Sequence, residues 1–312
     1  MQYNGMVIKS TGNLYTVLTS ENKTVPCKIT GRYRLEGLKS TSPIVVGDRV
    51  QFELAQGDQI GRISEVQERK NYIIRKSSNL SKTYQVIAAN IDQLMLIITV
   101  EYPKTFPEFI DRYLVSAEAY DIPAILYFNK IDLYNSAQKA YMNELIKIYT
   151  DIGYPCFQIS ALEKTGLKQI KETIKNKISL IAGNSGVGKS TLINAIDPTL
   201  DLTVREISDY HKKGKHTTTF VEMFQVATGG YLIDSPGIKG FGLIDMENEP
   251  LFHYFPEFFR LSEKCKYYNC LHVNEPECAI QHALEEGRIS TSRYASYLSL
   301  LHEQKEAEKY RK

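Results

Sequence analysis

The stretch GNSGVGKST, residues 183–191, sets Gly183, Gly188, Lys189 and Ser190 on the pattern G-x-x-x-x-G-K-[ST]. Glycines let a backbone curl until successive N–H groups face one point, which suits phosphate oxygens. The apolar run ISLIA precedes the turn and the helical text TLINAI comes after it, so a positive helix end adds to the attraction. On this reading Gly183, Asn184, Ser185, Gly186, Val187, Gly188, Lys189, Ser190 and Thr191 cradle the phosphates of a nucleotide. Lys189 neutralises the β- and γ-phosphates, and the Ser190 hydroxyl ligates Mg²⁺. A glycine-rich turn without function is the bland reading, and the flanking strand and helix disfavour it.

Upstream, YFNKIDLY (127–134) carries Asn129, Lys130 and Asp132 as N-K-x-D. A carboxylate at Asp132 accepts from the N1–H and N2–H₂ of guanine, and adenine offers neither donor pattern. A site built on such polar pairing rejects the analogue strongly. Asn129 buttresses the loops and the Lys130 stem lies over the base. ISALEKTG (159–166) puts Ser160 and Ala161 after a strand, where a backbone N–H meets guanine O6; alone, that short motif is weak. LIDSPG (232–237) ends a strand at Asp234, positioned to hold Mg²⁺ through water, with the Gly237 amide next to the γ-phosphate.

Between them, HKKGKHTTTF (211–220) reads as a switch segment. One of Thr217–Thr219 reaches Mg²⁺, with Thr218 taken among the three. Its lysines contact RNA phosphates or are simply solvated. Ile238 stands where many GTPases carry a water-orienting Gln, so intrinsic hydrolysis is expected to be as slow as in unstimulated GTPases or slower. His216 is the nearest residue to orient water instead, a plain loop histidine being the equal alternative.

The order of parts is base reader, Ser-Ala, phosphate loop, switch, D-x-P-G, a cyclic rotation of the usual order that starts at the phosphate loop. Rotation preserves the site if the original termini lay close, as they often do in compact domains. D-x-P-G then becomes the last functional element of the GTPase, about 28 residues before Cys265, so nucleotide state is expected to steer the C-terminal segment. That segment carries CKYYNCLHVNEPEC, with Cys265, Cys270, His272 and Cys278 in a C-x4-C-x-H-x5-C spacing. Three thiolates and an imidazole suit one structural Zn²⁺ in a closed tetrahedral set. Reduced core cysteines beside a surface histidine are the alternative. Cys27 and Cys156 lie in strand text and read as small core residues.

These residues need a scaffold, and the chain predicts one. GMVIKS, LYTVLT, TVPCKIT, DRVQFELA and IGRISEV are β-rich runs with Asn/Gly/Asp breaks. Five short strands in about 70 residues suit a small barrel, an OB-fold or an SH3-like scaffold. From about residue 85, strands alternate with helices: IDQLMLIITV, FPEFIDRYLVSAEAY, AILYFNK, AQKAYMNELIKIYTDIG, CFQIS, KTGLKQIKETIKNK and ISLIAG. That alternation predicts a parallel sheet covered on both faces. Beyond about 245 the text is helical, ending in a charged helix at 292–310. The expected fold is multi-domain α/β: a barrel over 1–68, a circularly permuted P-loop GTPase over 69–244, and a mostly helical zinc-binding domain over 245–312.

Composition sets the outer bounds. With 43% apolar and 24% charged residues in 312, the chain can bury a real core. Residues 1–76 carry twelve Lys/Arg against seven Asp/Glu, a net +5 within a total of +2, which leaves −3 for the rest. A basic N-terminal module hints weakly at an anionic partner. The N-terminus shows no secretory h-region and the apolar runs are strand-sized, so no membrane contact is expected. Five Cys, an odd number, suit a reduced, cytoplasmic protein.

With NKID, SAL, GNSGVGKST, HTTT, DSPG and the Cys/Cys/His/Cys module in this order, the chain closely resembles the RsgA family of ribosome small-subunit-dependent GTPases along essentially its whole length. The resemblance implies an OB-fold N-terminal domain and the 30S ribosomal subunit with its 16S rRNA as partner. It also implies late maturation of that subunit and GTP hydrolysis to GDP stimulated by it. By position, His216 resembles the family's proposed catalytic histidine. A monomer is expected. Without the resemblance, the residues stop at a GTP switch between two binding modules. A nucleic-acid adaptor toggled by GTP, with Tyr15, Arg32, Tyr33 and Arg34 on its barrel, is the alternative from another class. An ATP-dependent kinase is disfavoured by Asp132.

Overall fold

Alternating apolar residues send every second side chain of the N-terminal strands into one small lumen. The computed structural model describes residues 1–29, 43–55, 57–76, 84–200, 221–234 and 250–309. Strands β1 (Gln2–Thr11), β2 (Leu14–Thr19), β3 (Thr24–Ile29), β4 (Arg49–Glu53) and β5 (Gly61–Val66) pair in the order β1-β2-β3-β5-β4. β4 returns to β1, which closes the barrel; the β3–β5 pairing is parallel and the others antiparallel. Val7, Tyr15, Val17, Cys27, Val50, Phe52 and Ile63 fill the lumen. The strand order and closure are those of an OB-like barrel, which answers the choice left open by the sequence.

A hairpin, β6 (Tyr72–Lys76) with β7 (Tyr84–Ala89), leads from the barrel into the next layer. The sequence pattern does not reveal it, because a link of seven residues carries no two-residue turn signature. A buried ion pair braces this junction: Arg69 Nε and Nη2 donate to Asp48 Oδ1 (2.6 Å) and Oδ2 (2.8 Å). Such bidentate guanidinium–carboxylate pairs fix geometry as well as charge.

The central sheet then runs through β8 (Gln93–Ile98), β9 (Ala124–Phe128), β10 (Cys156–Gln158), β11 (Ile178–Ala182), β12 (Glu222–Val226) and β13 (Gly230–Asp234). Its order is β10-β9-β8-β11-β13-β12. The first five strands are parallel. β12 is antiparallel at the edge and meets β1 at Glu222–Lys9, so the sheet continues into the barrel. That antiparallel edge departs from the expected all-parallel sheet: the short link Ala227–Gly229 between β12 and β13 permits only a hairpin.

β8 and β11 are buried at every residue, as strands covered on both faces must be. Leu94, Leu96 and Ile98 face a cluster with α1 (Pro107–Ala119) and α2 (Ser136–Ile152). Met95 and Ile97 face the other, with α3 (Leu167–Ile174) and α4 (Lys189–Ile196). Cys27 lies in β3 and Cys156 in β10, and burial pushes both thiols up to about 11, so each is a neutral packing group.

The C-terminal helices α5 (Pro256–Ser262), α6 (Ala279–Glu285) and α7 (Thr291–Lys309) form a third cluster that includes Val115 of α1. Arg293 of α7, 1% exposed, sits at this interface. It donates to Glu257 Oε1 (2.7 Å) and Oε2 (3.0 Å) and to Asp111 Oδ1 of α1 (2.8 Å). Its guanidinium lies 4.5 Å from the Phe255 ring centroid. Burial works against this charge, but Asp111 and Glu257 outweigh it and hold the pKa well above the usual arginine value. Burial pushes the Asp111 carboxyl up, opposed by Arg293, Ser296 and Tyr149. Removing this cation leaves the buried carboxylates of Asp111 and Glu257 without it. Arg293→Ala is expected to destabilise the C-terminal region by about 3–5 kcal/mol. Arg112→Ala, which loses a half-exposed pair with Glu303, is expected to cost about 1 kcal/mol or less. Denaturant unfolding of the two variants checks the difference, and equal midpoints would show that the cluster does not hold the interface.

Candidate nucleotide site and metal centre

Three loops meet at the carboxyl ends of parallel strands, where open α/β sheets bind ligands. They come after β9, β10 and β11, and Asp234, the last residue of β13, lies at the same edge. The turn after β11 exists because two of its positions admit no side chain. Gly183 has φ +146°, and a Cβ there would stand 2.4 Å from Ile97 O. Gly188 has φ +95°, and a Cβ there would stand 2.6 Å from Asn129 Nδ2. The turn spans Asn184, Ser185, Gly186 and Val187 and delivers the chain into α4, whose first turn holds Lys189, Ser190 and Thr191.

Lys189 folds back over this turn: Nζ donates to Gly183 O (2.8 Å) and Asn184 O (2.9 Å). Burial lowers its pKa while the charge of Asp234 works the other way. Asp234 at the end of β13 is buried, and its Oδ1 has no hydrogen-bond partner among the described residues. Burial raises its carboxyl pKa and Lys189 lowers it. The arrangement therefore offers one ammonium, a helix N-terminus and an unused carboxylate oxygen in one place. These are the groups that a phosphate chain with a divalent cation requires.

Asn129 ties the loops together. Its Nδ2 donates to Val187 O (2.8 Å), its Oδ1 accepts from Ala161 N (3.0 Å), and its carbonyl accepts from Tyr134 Oη (2.6 Å). Lys130, with φ +65°, sends Nζ to Tyr102 O and Gly186 O, both at 2.6 Å. Ser160 Oγ accepts from Glu163 N (3.0 Å), which pins the turn that carries Ala161. Asp132 Oδ1 is shielded from solvent and has no partner among the described residues. An acceptor left over beside a braced loop is what an N–H-bearing base edge needs.

Two contributors went unread in the sequence. Tyr134 accepts from Val100 N (3.1 Å) while holding Asn129, and a tyrosine two places beyond Asp132 was the available signal. Tyr102 acts through its backbone carbonyl, for which residue type gives no signal. His216, Thr218 and Gly237 lie outside the described residues.

The other candidate centre sits between α5 and α6. The donor atoms of Cys265, Cys270, His272 and Cys278 all lie within 4.8 Å of one another. His272 Nδ1 is 3.6 Å from Cys265 Sγ and 3.5 Å from Cys278 Sγ. Burial pushes the His272 pKa down to about 4, so its ring is neutral, and pushes the Cys270 thiol up to about 12. A buried cluster of neutral imidazole and thiols without a cation of its own fits a tetrahedral divalent ion, which would draw the thiols to thiolates.

The amide of Asn129 is expected to matter beyond its size. Asn129→Ala leaves Val187 O and Ala161 N buried and unpaired, a cost of about 1–3 kcal/mol. Thermal unfolding and guanine-nucleotide titration should both weaken; unchanged values would mean that the loops hold themselves.

Comparison with known proteins gives a consistent result. The family model described as RsgA GTPase matches residues 66–244, and that described as RsgA N-terminal domain matches residues 4–63. A protein of Bacteroides fragilis named small ribosomal subunit biogenesis GTPase RsgA is 56% identical over 307 residues, 98% of each chain. One of the same name in Christiangramia forsetii is 50% identical over 299 residues, 95% of each chain. The crystal structure of YjeQ from Thermotoga maritima superposes with a TM-score of 0.79 at 37% identity, covering 97% of this chain and 98% of that one. The structure of YloQ, described as a circularly permuted GTPase, gives 0.77 at 30% identity, covering 98% of this chain and 96% of that one. Among the described residues, no helix is long and apolar enough to cross a membrane.

Proposed function

The chain belongs to the RsgA GTPase family, and from that premise we propose that it is a GTP-hydrolysing switch acting on the small ribosomal subunit. One observation carries the nucleotide part of this reading: Asn129 joins the turn before Lys189 to the turn of Ala161, beside the unpartnered Asp132 Oδ1. In this reading Asp132 takes the guanine N1–H and N2–H₂, the Ala161 turn meets O6, and the Lys130 stem covers the base. Asn184, Ser185, Gly186, Val187, Gly188 and Thr191 line the phosphates. Lys189 exchanges the Gly183 and Asn184 carbonyls for phosphate oxygens. Ser190 and Thr218 would ligate Mg²⁺ and Asp234 would hold it through water, and the ion would supply charge neutralisation at the phosphates. Gly237 senses the γ-phosphate and His216 orients the attacking water.

Three regions divide the work: a barrel over 1–68 that contacts 16S rRNA, the GTPase over 69–244, and a C-terminal domain over 245–312 held by one structural Zn²⁺. The net +5 of residues 1–76 supports the rRNA contact, since phosphate neutralisation dominates such binding. The protein acts as a cytoplasmic monomer in late maturation of the 30S subunit.

Asp132→Asn is expected to lose most of the preference for GTP over ATP, since its amide cannot accept from both base donors. Competition titrations check this, and retained selectivity would remove Asp132 from the base site. The role itself is tested by GTP turnover alone and with 30S, 50S and 70S particles at one salt concentration. Strong stimulation by 30S is expected. No stimulation by any particle, with tight binding to free RNA, would make the chain a GTP-gated RNA adaptor.

A further inference from the structure

We propose that Glu275 is the positioning residue of the Cys/His centre: its carboxylate gathers the amides of the ligand loop and so fixes where Cys270 and His272 present their donor atoms. The inference rests on the reading of that centre as a zinc site.

Glu275 is not one of the four groups whose donor atoms converge. It lies three residues beyond His272 and three before Cys278, inside the loop that carries both. Its Oε1 accepts from Leu271 N (2.9 Å), and its Oε2 accepts from Val273 N (2.9 Å) and Asn274 N (3.1 Å). One half-buried side chain thus holds three backbone amides that no helix or strand could satisfy. Burial would raise this carboxyl, but the Leu271, Val273 and Asn274 amides, together with its own, outweigh it and bring it to about 2. The group is therefore ionised, and hydrogen bonds to an ionised acceptor are the strong kind.

The His272 amide and three carbonyls of the loop have other partners. The His272 amide lies against the Cys270 sulfur. Leu271 O accepts from Tyr297 Oη (2.8 Å), His272 O from Tyr294 Oη (2.7 Å), and Val273 O from Gln281 Nε2. Only one amide between Leu271 and Asn274 points to sulfur, and the three others converge on Glu275. That partition holds His272 at φ +60°, in the left-handed region that residues with a Cβ avoid. In this conformation the His272 ring turns Nδ1 toward two cysteine sulfurs. Without the carboxylate, three amides lose their acceptor and the histidine backbone loses what keeps it left-handed.

Outer partners that orient metal ligands typically contribute 10–100-fold to affinity. The experiment uses the full chain, with zinc counted by elemental analysis and then competed with a chromophoric chelator. The wild type is expected to hold one zinc. Glu275→Ala should release it about 10–100-fold more readily, and Glu275→Gln should fall between, because its NH₂ cannot accept from an amide. Glu277→Ala is the control: that residue shares the loop but is exposed and pairs with Lys266. It should match the wild type. GDP binding by each variant reports folding, and if Glu275→Ala fails that test, Glu275→Gln decides. A Glu275 variant that binds GDP and retains zinc as tightly as the wild type overturns the inference alone. A wild type without zinc overturns the metal reading and the inference with it.

Discussion

The site depends on a packing constraint at the end of a parallel sheet: three loops must come close enough for one buried carboxamide to bridge them. Asn129 reaches Val187 O in one direction and Ala161 N in the other. That span is possible only because Gly188 has no Cβ where the Asn129 amide stands. The strand order β9-β8-β11 sets the distance to be bridged, and the burial of β8 and β11 on both faces keeps those strands from shifting. Interiors packed at crystal density deform little, so the loops inherit the rigidity of the strands.

The same sheet explains how a rotated order of motifs yields an ordinary site. Hydrogen bonding between strands does not depend on where the chain begins. β8 takes β9 on one side and β11 on the other, although about 80 residues separate β11 from β8 in sequence. The rotation changes what is attached at the ends. At the N-terminal end, the barrel joins through β1 pairing with β12, the Asp48–Arg69 pair and the β6–β7 hairpin. At the other end, the last described residue of the GTPase sheet is Asp234, beside Lys189.

Past that point the C-terminal helices return to pack on α1, far back in sequence. Arg293 reaches Asp111, and Tyr149 Oη donates to the same carboxylate oxygen at 2.9 Å. Arg260 adds a bond from Nη2 to Ile152 O at 2.9 Å. The helix α7 thus has two tasks. Tyr294 and Tyr297 hold carbonyls of the Cys/His loop while Arg293, their neighbour, holds α1. The Cys/His centre and the GTPase are connected through side chains of one helix as well as along the chain.

Local chemistry made much of this legible in one dimension. The glycines of 183–188, the carboxylate at Asp132 and the Cys/His spacing each impose a requirement that a few adjacent residues meet by themselves. The two-residue and 3.6-residue periods located the barrel strands and the helices α1, α2 and α7 closely. The hairpin β6–β7 and the antiparallel edge β12 escaped, because strand direction and pairing depend on partners distant in sequence. So did Tyr134, Tyr102, Arg293 and Glu275. Each acts through a neighbour brought there by folding, or through a backbone atom that every residue type shares. The sequence by itself determined which chemical groups are present and in what order. The tertiary structure alone decided which of them share a buried space, because burial and hydrogen-bond satisfaction depend on the whole packed arrangement rather than on any short stretch of chain.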